Sequence, residues 1–272
     1  MTTNESVSRA IDIIKLVANA ERPITLTEIC KKTNIPKSSA FGILHTLVEK
    51  NALEIADENA RTFRLGLGLF ETTLAALSST DLLKAARPLL EELNRLTGET
   101  VLFAVEDAGQ MVFLDMLEGA AFLRATVKLG ARISMHCTAI GKAVLAAFPE
   151  PGLLEFLNAV PLARKTDHTI IRRADLMKDL AQTRVRKHSI DNEENIDDIC
   201  CVGAPIYSRT HKVIAGMSIT MQASRADADK LSYYGMLVHN AALRISRRMG
   251  FSETDLYWDW DNLSGAQLKA SG

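Results

Sequence analysis

The chain has 272 residues, of which 47% are hydrophobic, and 32 lysines and arginines stand against 33 aspartates and glutamates, for a formal net charge of −1. The length sets a prior of two domains, and the composition excludes a disordered or collagen-like chain. The charge excludes a whole-chain polycation, so any nucleic-acid binding has to be local.

No apolar run reaches the roughly 18–20 residues of a membrane span. The start, MTTNESVSRAIDIIKL, carries an early acid and no apolar segment ending in a small-residue cleavage site, so it does not read as a signal peptide. Cys30, Cys137, Cys200 and Cys201 fit no disulfide framework and no CxxC pair. Reduced thiols in a cytoplasmic protein are the expectation.

Residues 7–17 predict a helix with Val7, Ala10, Ile11, Ile14 and Val17 on one face. After Pro23, Thr25 with Glu28 three residues on forms a capping box, opening a short helix with Leu26, Ile29 and Cys30 inward. Asn34 ends it, and Ile35-Pro36 make the turn. A third helix starts near Lys37 and buries Ala40, Ile43, Leu44, Leu47 and Val48. Lys37, Ser38, Ser39, Phe41 and His45 lie largely off that face. Leu53-Glu54-Ile55 and Thr62-Phe63-Arg64-Leu65 alternate like strands around Asp57-Glu58-Asn59, a hairpin after three helices.

Residues 66–97 read as helical again, with Leu67, Phe70, Leu74 and Leu77 as one stripe and Leu83, Leu89, Leu90, Leu93 and Leu96 as another. Pro88 marks a helix start or kink, and Gly98 a C-cap. Two strands joined by Asp107-Ala108-Gly109 follow, and AFLRATV (121–127) reads as a third. Thr138 to Ala147 is a helix rich in small residues, and 173–186 a charged one. CCVGAPIY and KVIAGMSIT are strands joined around Ser208-Arg209-Thr210-His211, and a last helix runs over about 225–249. This pattern predicts an antiparallel α+β sheet rather than a βαβ array. Beyond Gly250 an acidic tail (251–272) holds both tryptophans, Trp258 and Trp260; a frayed end is the first reading, docking on a partner subunit the second.

Three short helices and a hairpin make a winged helix-turn-helix plan. Such a fold sets the start of its recognition helix against phosphates and base edges. Here that start is Pro36-Lys37-Ser38-Ser39: Lys37 brings charge and the two serines bring short hydroxyls. The hairpin would carry Arg61 and Arg64 to the DNA backbone or minor groove. With Thr25, Thr27, Phe41 and His45 these form the candidate DNA-reading set. The alternative is an ordinary helix start with solvated serines, since acids in residues 1–70 nearly cancel the bases.

A second candidate site is a small-molecule pocket, which needs an apolar lining with a few convergent polar groups. In GARISMHCTAIGKAVLA, Gly130 and Gly141 allow close backbone approach. Thr138-Ala139-Ile140-Gly141 opens a helix whose N–H groups can receive a carboxylate. Asp191 and Cys201 would face it, and Ser218 and Thr220 share one sheet face. Each has a plain structural role as well: Asp191 capping a turn or pairing with Arg184 or Arg186, His136 satisfied in the core, the cysteines and hydroxyls simply packed.

SRAIDIIKLV, ITLTEICKKTNIPKSSAFGILHTLVEKNALEI and FRLGLGLFE, in that order, resemble the DNA-binding half of the IclR family of bacterial transcriptional regulators. LTGET, GARISMHCTAIGKAVLA, DNEEN, CCVGAPIYS and VIAGMSIT resemble its effector-binding half, so the likeness covers residues 6–250. The resemblance implies a winged helix-turn-helix domain (1–70), a linker helix (71–80) and a GAF-like α/β effector-binding domain (81–250). It implies operator DNA and a small effector as partners, homodimers or homotetramers, and more often repression than activation. Carried over, the effector contacts are Phe122, Ala125, Ala139, Ile140, Asp191, Ile199, Cys201, Ser218 and Thr220. An acid opposite a helix start fits a hydroxy, keto or sugar acid. Gly42 stands where the family often has Arg, and Asp198 where a glycine is common, which suggests a different operator and an altered pocket lip.

Two rivals remain. His136, Cys137, Asp191 and Cys201 could converge on a metal, or act in a redox sensor, though their spacing is no recognised zinc pattern. An enzyme is the weaker rival: there is no Gly-rich phosphate loop, nucleophile elbow or HExxH, and the adjacent acids Glu193-Glu194 do not face each other. No cofactor or membrane contact is expected.

Overall fold

The computed structural model describes residues 3–57, 60–69, 71–72, 81–119 and 128–252. The expected strand 121–127 with Phe122 and Ala125, most of the linker and nearly all of the tail lie outside the described residues. Contacts divide the chain into two compact units, Met1–Thr80 and Asp81–Gly272.

The first unit begins with α1 (Glu5–Ala18), whose N-cap Asn4 accepts from the backbone of Ser6 and Val7. Its inner face is only partly the expected one: Val17 is buried and Ala10 and Ile14 are half-buried, but Ile13 takes the centre and Val7 and Ile11 are exposed. Apolar residues occupy several sides of this helix, and packing against Ile29, Leu44 and Leu53 selects Ile13 as the centre. A two-residue strand β1 (Ile24–Thr25) leads into α2 (Leu26–Thr33), where the Thr25–Glu28 capping box forms in both directions. Asn34 ends α2 in the left-handed conformation. Then come α3 (Lys37–Glu49), β2 (Leu53–Asp57) and β3 (Thr62–Leu65). The sheet order is β1-β3-β2, so the wing has a third strand that two residues were too few to signal. Residues 67–69 and 71–72 are helical.

The second unit opens with α4 (Asp81–Thr97), and Gly98 follows at φ 67°. Pro88 lies inside α4 rather than at its start, so one backbone hydrogen bond is missing mid-helix. Of the expected stripe Leu89, Leu90 and Leu93 are buried, but Leu96 is exposed and Leu82 takes the inward place at the N-terminal end. The sheet consists of β4 (Thr100–Asp107), β5 (Gln110–Leu117), β6 (Arg132–Ser134), β7 (Ser189–Asn192), β8 (Ile199–Tyr207) and β9 (Val213–Gln222). Its order is β6-β5-β4-β9-β8-β7 and every pairing is antiparallel, as the strand and hairpin pattern predicts. Ala108 and Gly109 both have positive φ, the two-residue turn that suits the twist of a hairpin.

Alternation along the strands sends residues to two layers. Val101, Phe103, Cys200, Val202, Met217 and Ile219 pack under α4 and α8 (Ala228–Arg248). Leu102, Ala104, Ile140, Val144, Leu153, Phe156, Leu176 and Leu180 join the opposite face to α5 (Ala139–Ala146), α6 (Glu150–Ala159) and α7 (Arg173–Arg186). Each of these large side chains contributes about 1.5–3 kcal/mol by leaving water. The strands β6 and β7 and the helix α6 go beyond what the sequence pattern predicts.

Candidate functional site

In the first unit the polar face of α3 is open. Pro36 precedes the helix, no side chain caps it, and its first turn holds no acid. The N–H groups of Lys37, Ser38 and Ser39 are therefore left for water or an anion, as a phosphate contact requires. Lys37, Ser38, Phe41 and His45 are exposed, with Ser39 half-buried. Phe41 is 54% exposed. Thr27 and Arg61 are also exposed.

Two of the candidate residues are already engaged. The Thr25 hydroxyl accepts from the Glu28 N–H at 3.3 Å and donates to the Glu28 carboxylate at 2.9 Å, so it serves the capping box. Arg64 pairs across the hairpin with Glu54, its register partner, so the wing's guanidinium has a partner without DNA.

The second unit builds a polar row across its sheet. Asp191 of β7 stands beside Cys201 of β8, Cys201 beside Thr220 of β9, and Thr220 beside Thr100 of β4. One step along the same face run Ser189, Gly203 and Ser218. Ile199 follows the same alternation, half-buried at the start of β8. The Cys201 thiol lies 3.3 Å from the Thr220 hydroxyl. Asp191, Ser218 and Thr220 are all buried. Thr100 is the member that the sequence pattern did not single out, because only the pairing of β4 with β9 brings it beside Thr220.

The first turn of α5 sits directly over this face. A Cβ at Gly203 would lie 2.7 Å from the carbonyl carbon of Ala139, so only glycine admits the helix. Gly141 meets the Met135 backbone in the same way. Gly130 has no neighbour there; its φ of 79° makes it a turn glycine, not a close approach. The Ser189 hydroxyl donates to the Ala139 carbonyl at 2.5 Å. Thr138 caps the helix by accepting from the Gly141 N–H at 3.3 Å. The N–H groups of Ala139 and Ile140, both buried residues, find no acceptor among the described residues. Two buried donors without acceptors at a helix start are costly unless a ligand or water receives them.

Charges lie behind the row. Lys142 of α5 is fully buried, with its Nζ 2.5 Å from Glu194 and 3.0 Å from Asp179 of α7. Arg186 approaches Asp179 at 3.7 Å. The Glu194 N–H donates to the Asp191 carboxylate at 2.8 Å. Thr166 and Thr169 donate to the carbonyls of Glu193 and Glu194, each at 2.6 Å, and fix the strand exit. Asp198 holds φ 63°, the conformation a glycine would take, and its N–H donates to Glu193 at 2.9 Å. The departure at Asp198 thus keeps the backbone path.

Burial, reinforced by the Glu194 charge, pushes the Asp191 carboxyl up to about 7. The N–H groups of Glu194 and Asn195 and the Lys142 ammonium oppose that rise. Near neutral pH Asp191 can therefore either donate or accept.

Among the described residues no three of His, Cys, Asp and Glu converge as ligands. His136 places Nε2 3.0 Å from the Ala163 carbonyl, and burial lowers its proton affinity, which fits a neutral core histidine. Burial pushes the Cys137 thiol up to about 12 and raises Cys201 as well, so both are protonated thiols in this site. Cys200 and Cys201 face opposite sides of β8, so they do not pair. A shallow groove on α7, lined by Ala181, Gln182, Val185 and Arg186, contains none of the row.

Comparison with known proteins covers both units. A family model described as the IclR helix-turn-helix domain matches residues 6–55. Another, described as the bacterial transcriptional regulator IclR C-terminal domain, matches residues 74–247. The HTH-type transcriptional regulator XynR of Escherichia coli K12 is 32% identical over 91% of this chain and 98% of its own. The HTH-type transcriptional repressor AllR of the same strain is 28% identical over 90% of each. The crystal structure of Thermotoga maritima IclR superposes with a TM-score of 0.78 at 30% identity, covering 90% of this chain and 99% of that one. An IclR homologue from Microbacterium hydrocarbonoxydans, complexed with 4-hydroxybenzoate, has a TM-score of 0.79 at 22% identity and covers 90% and 99%. No helix among the described residues is long and apolar enough to cross a membrane.

Proposed function

The chain belongs to the IclR family of bacterial transcriptional regulators and is a ligand-responsive DNA-binding regulator; from that premise we propose that its effector is a small carboxylate with hydroxyl or N–H donors at its other end. One observation carries the proposal: the two acceptor-less N–H groups of Ala139 and Ile140, set over a sheet face that holds Asp191, Cys201, Ser218 and Thr220. The helix start would take the carboxylate. Asp191 and the hydroxyls would take the donors. The 4-hydroxybenzoate bound by the Microbacterium homologue has this chemistry. Phe122, Ala125 and Ile199 would complete the apolar lining.

Residues 1–70 would read operator DNA, residues 71–80 link, and residues 81–250 sense the effector. The protein would work in the cytoplasm as a homodimer or homotetramer, spacing two recognition helices to match two half-sites. Effector binding would bias the arrangement of the sensing domains and, through the linker, the spacing of the helices. Linkage then requires DNA and effector to alter each other's affinity by the same factor, typically worth ~1–3 kcal/mol. Repression is the proposed sign, as in the relative named a repressor. Catalysis is not part of the proposal.

Fluorescence anisotropy tests the reading. The protein is titrated onto DNA from upstream of its own gene and onto scrambled DNA, at two salt concentrations, with and without hydroxy, keto and sugar acids and 4-hydroxybenzoate. Sequence-dependent binding shifted by one acid is the expected result. Heat of binding with a cation or an uncharged aromatic, but with no carboxylate, would overturn the effector class.

A further inference from the structure

We propose that Phe41 reads the 5-methyl group of thymine, which makes the centre of the recognition surface apolar. The inference rests on the DNA-reading role of α3 and adds what that helix recognises. Phe41 lies in the second turn of α3, where a recognition helix meets base edges. Its phenyl ring is 54% exposed, while Ala40 and Leu44 hold the helix to its own core. The adjacent Gly42 places nothing beside it: a Cβ there would meet no atom within 4 Å. No long donor at position 42 can therefore reach a guanine edge, and the phenyl, with His45 one turn on, is the large group presented there.

The surroundings suit DNA rather than a second protein surface. Lys31 and Lys32 end α2, Lys37 starts α3, and all three are exposed. The first turn of α3 carries no acid, and the helix has none before Glu49. Exposed lysines at the end of α2 and the start of α3, beside an exposed phenyl, fit a partner with phosphates flanking an apolar group. In the major groove the thymine methyl is the apolar group that a base pair presents, and Phe is among the side chains that meet it.

The test uses a DNA fragment selected from a random-sequence library by the full-length protein. The same fragment is copied with dTTP or with dUTP, which removes the methyl groups and leaves the Watson–Crick hydrogen bonds. Affinities are read by fluorescence anisotropy at one salt concentration. The wild-type protein should bind the uracil copy about fourfold more weakly for each methyl contacted, the value of one buried carbon group. Phe41→Ala should bind both copies alike, and Phe41→Leu should keep part of the difference. Lys37→Ala should weaken both copies and leave their ratio unchanged.

Equal binding of both copies by the wild type would overturn the inference and leave the regulator reading standing. So would an undiminished ratio in Phe41→Ala, or a change of oligomeric state in that variant with the ratio intact. Failure to select any sequence would remove the DNA-reading role itself, and the inference with it.

Discussion

The polar faces of the two units are built by opposite rules. On α3 the groups stand in water: an uncapped helix start, an exposed lysine and an exposed phenylalanine. On the sheet of the second unit the groups are buried and tied to one another, from Thr166 and Thr169 through Glu194 to Lys142 and Asp179. A DNA reader meets its partner at a surface and can leave its polar groups hydrated until then. A small-molecule site has no such freedom. Most of its polar groups must be satisfied in the dry interior, and the few left open, such as the Ala139 and Ile140 N–H groups, are those that a ligand or water has to receive. The same kind of substitution should therefore act on stability in one unit and on binding in the other.

The largest expected break in that contrast is Lys142→Ala. It leaves Glu194 and Asp179 without their shared cation, and Glu194 is buried with one carboxylate oxygen lacking any hydrogen-bond partner. Removing one partner of a buried ion pair costs about 3–5 kcal/mol. Urea denaturation should show the loss as a lower midpoint, and replacing Glu194 by Gln in the same chain should recover part of it. A midpoint within error of the wild type would mean that the ammonium is solvated and the network is not a stabilising unit.

Asp191→Asn comes next, and its sign depends on pH. The folded carboxyl is raised from an ordinary 3.8 to about 7, so between those values the folded chain holds a proton that the unfolded chain has released. Stability attributable to this group is full below about pH 4 and lost as pH rises to about 7. Asparagine removes the titration. The variant should gain on the order of 1–3 kcal/mol at pH 8 and nothing at pH 4, while its response to the effector disappears. A stability difference that does not vary with pH would place the titration elsewhere.

This contrast also explains which parts of the molecule could be read in the sequence. The Thr25–Glu28 box, the Asn34 cap, α3, the hairpins and the α5 start are local. Each is set by residues within about four positions of one another, and each is found where its pattern places it. The inner face of α1 is not local, because Val7, Ile11, Ile13 and Val17 all qualify and only the contact with Ile29 and Leu44 decides. Lys142 and Glu194 carry no local signal that they pair, yet 52 residues of separation close into one ion pair. Ser218 and Thr220 could be collected because strand alternation reveals a shared face, whereas Asp191 lies on a strand the pattern does not predict and, with Cys201, came from the family resemblance. Thr100, their neighbour through β9, could not be collected, since strand order is a tertiary fact. Glycines divide the same way: positive φ at Gly98 follows from a helix end, whereas the close packing at Gly203 needs Ala139, 64 residues upstream.

Thr25→Ala sharpens the comparison within the first unit. Thr25 sits among the residues considered for DNA contact, but its hydroxyl is spent on Glu28. Loss of an N-cap of this kind costs about 1 kcal/mol. The capping box also holds the Glu28 carboxyl at about 2, chiefly through the Thr25 N–H and then Arg22. Thermal unfolding of the variant should show the deficit, while the salt dependence of DNA binding should stay as in the wild type. A changed salt slope would return Thr25 to the DNA contacts.

Lys37→Ala should be the mirror image. Lys37 is exposed at the first position of α3 and pairs with no acid among the described residues, so its removal should leave the unfolding transition within about 0.5 kcal/mol. Its contribution is made with phosphate: each neutralised phosphate releases condensed counterion, and one fewer contact lowers the slope of log affinity against log salt by about 0.9. Operator and scrambled DNA should weaken together, because phosphate carries no sequence information. An unchanged slope would remove Lys37 from the backbone contacts. Loss of preference between sequences at an unchanged slope would make it a base reader, and would leave the start of α3 without its assigned phosphate cation.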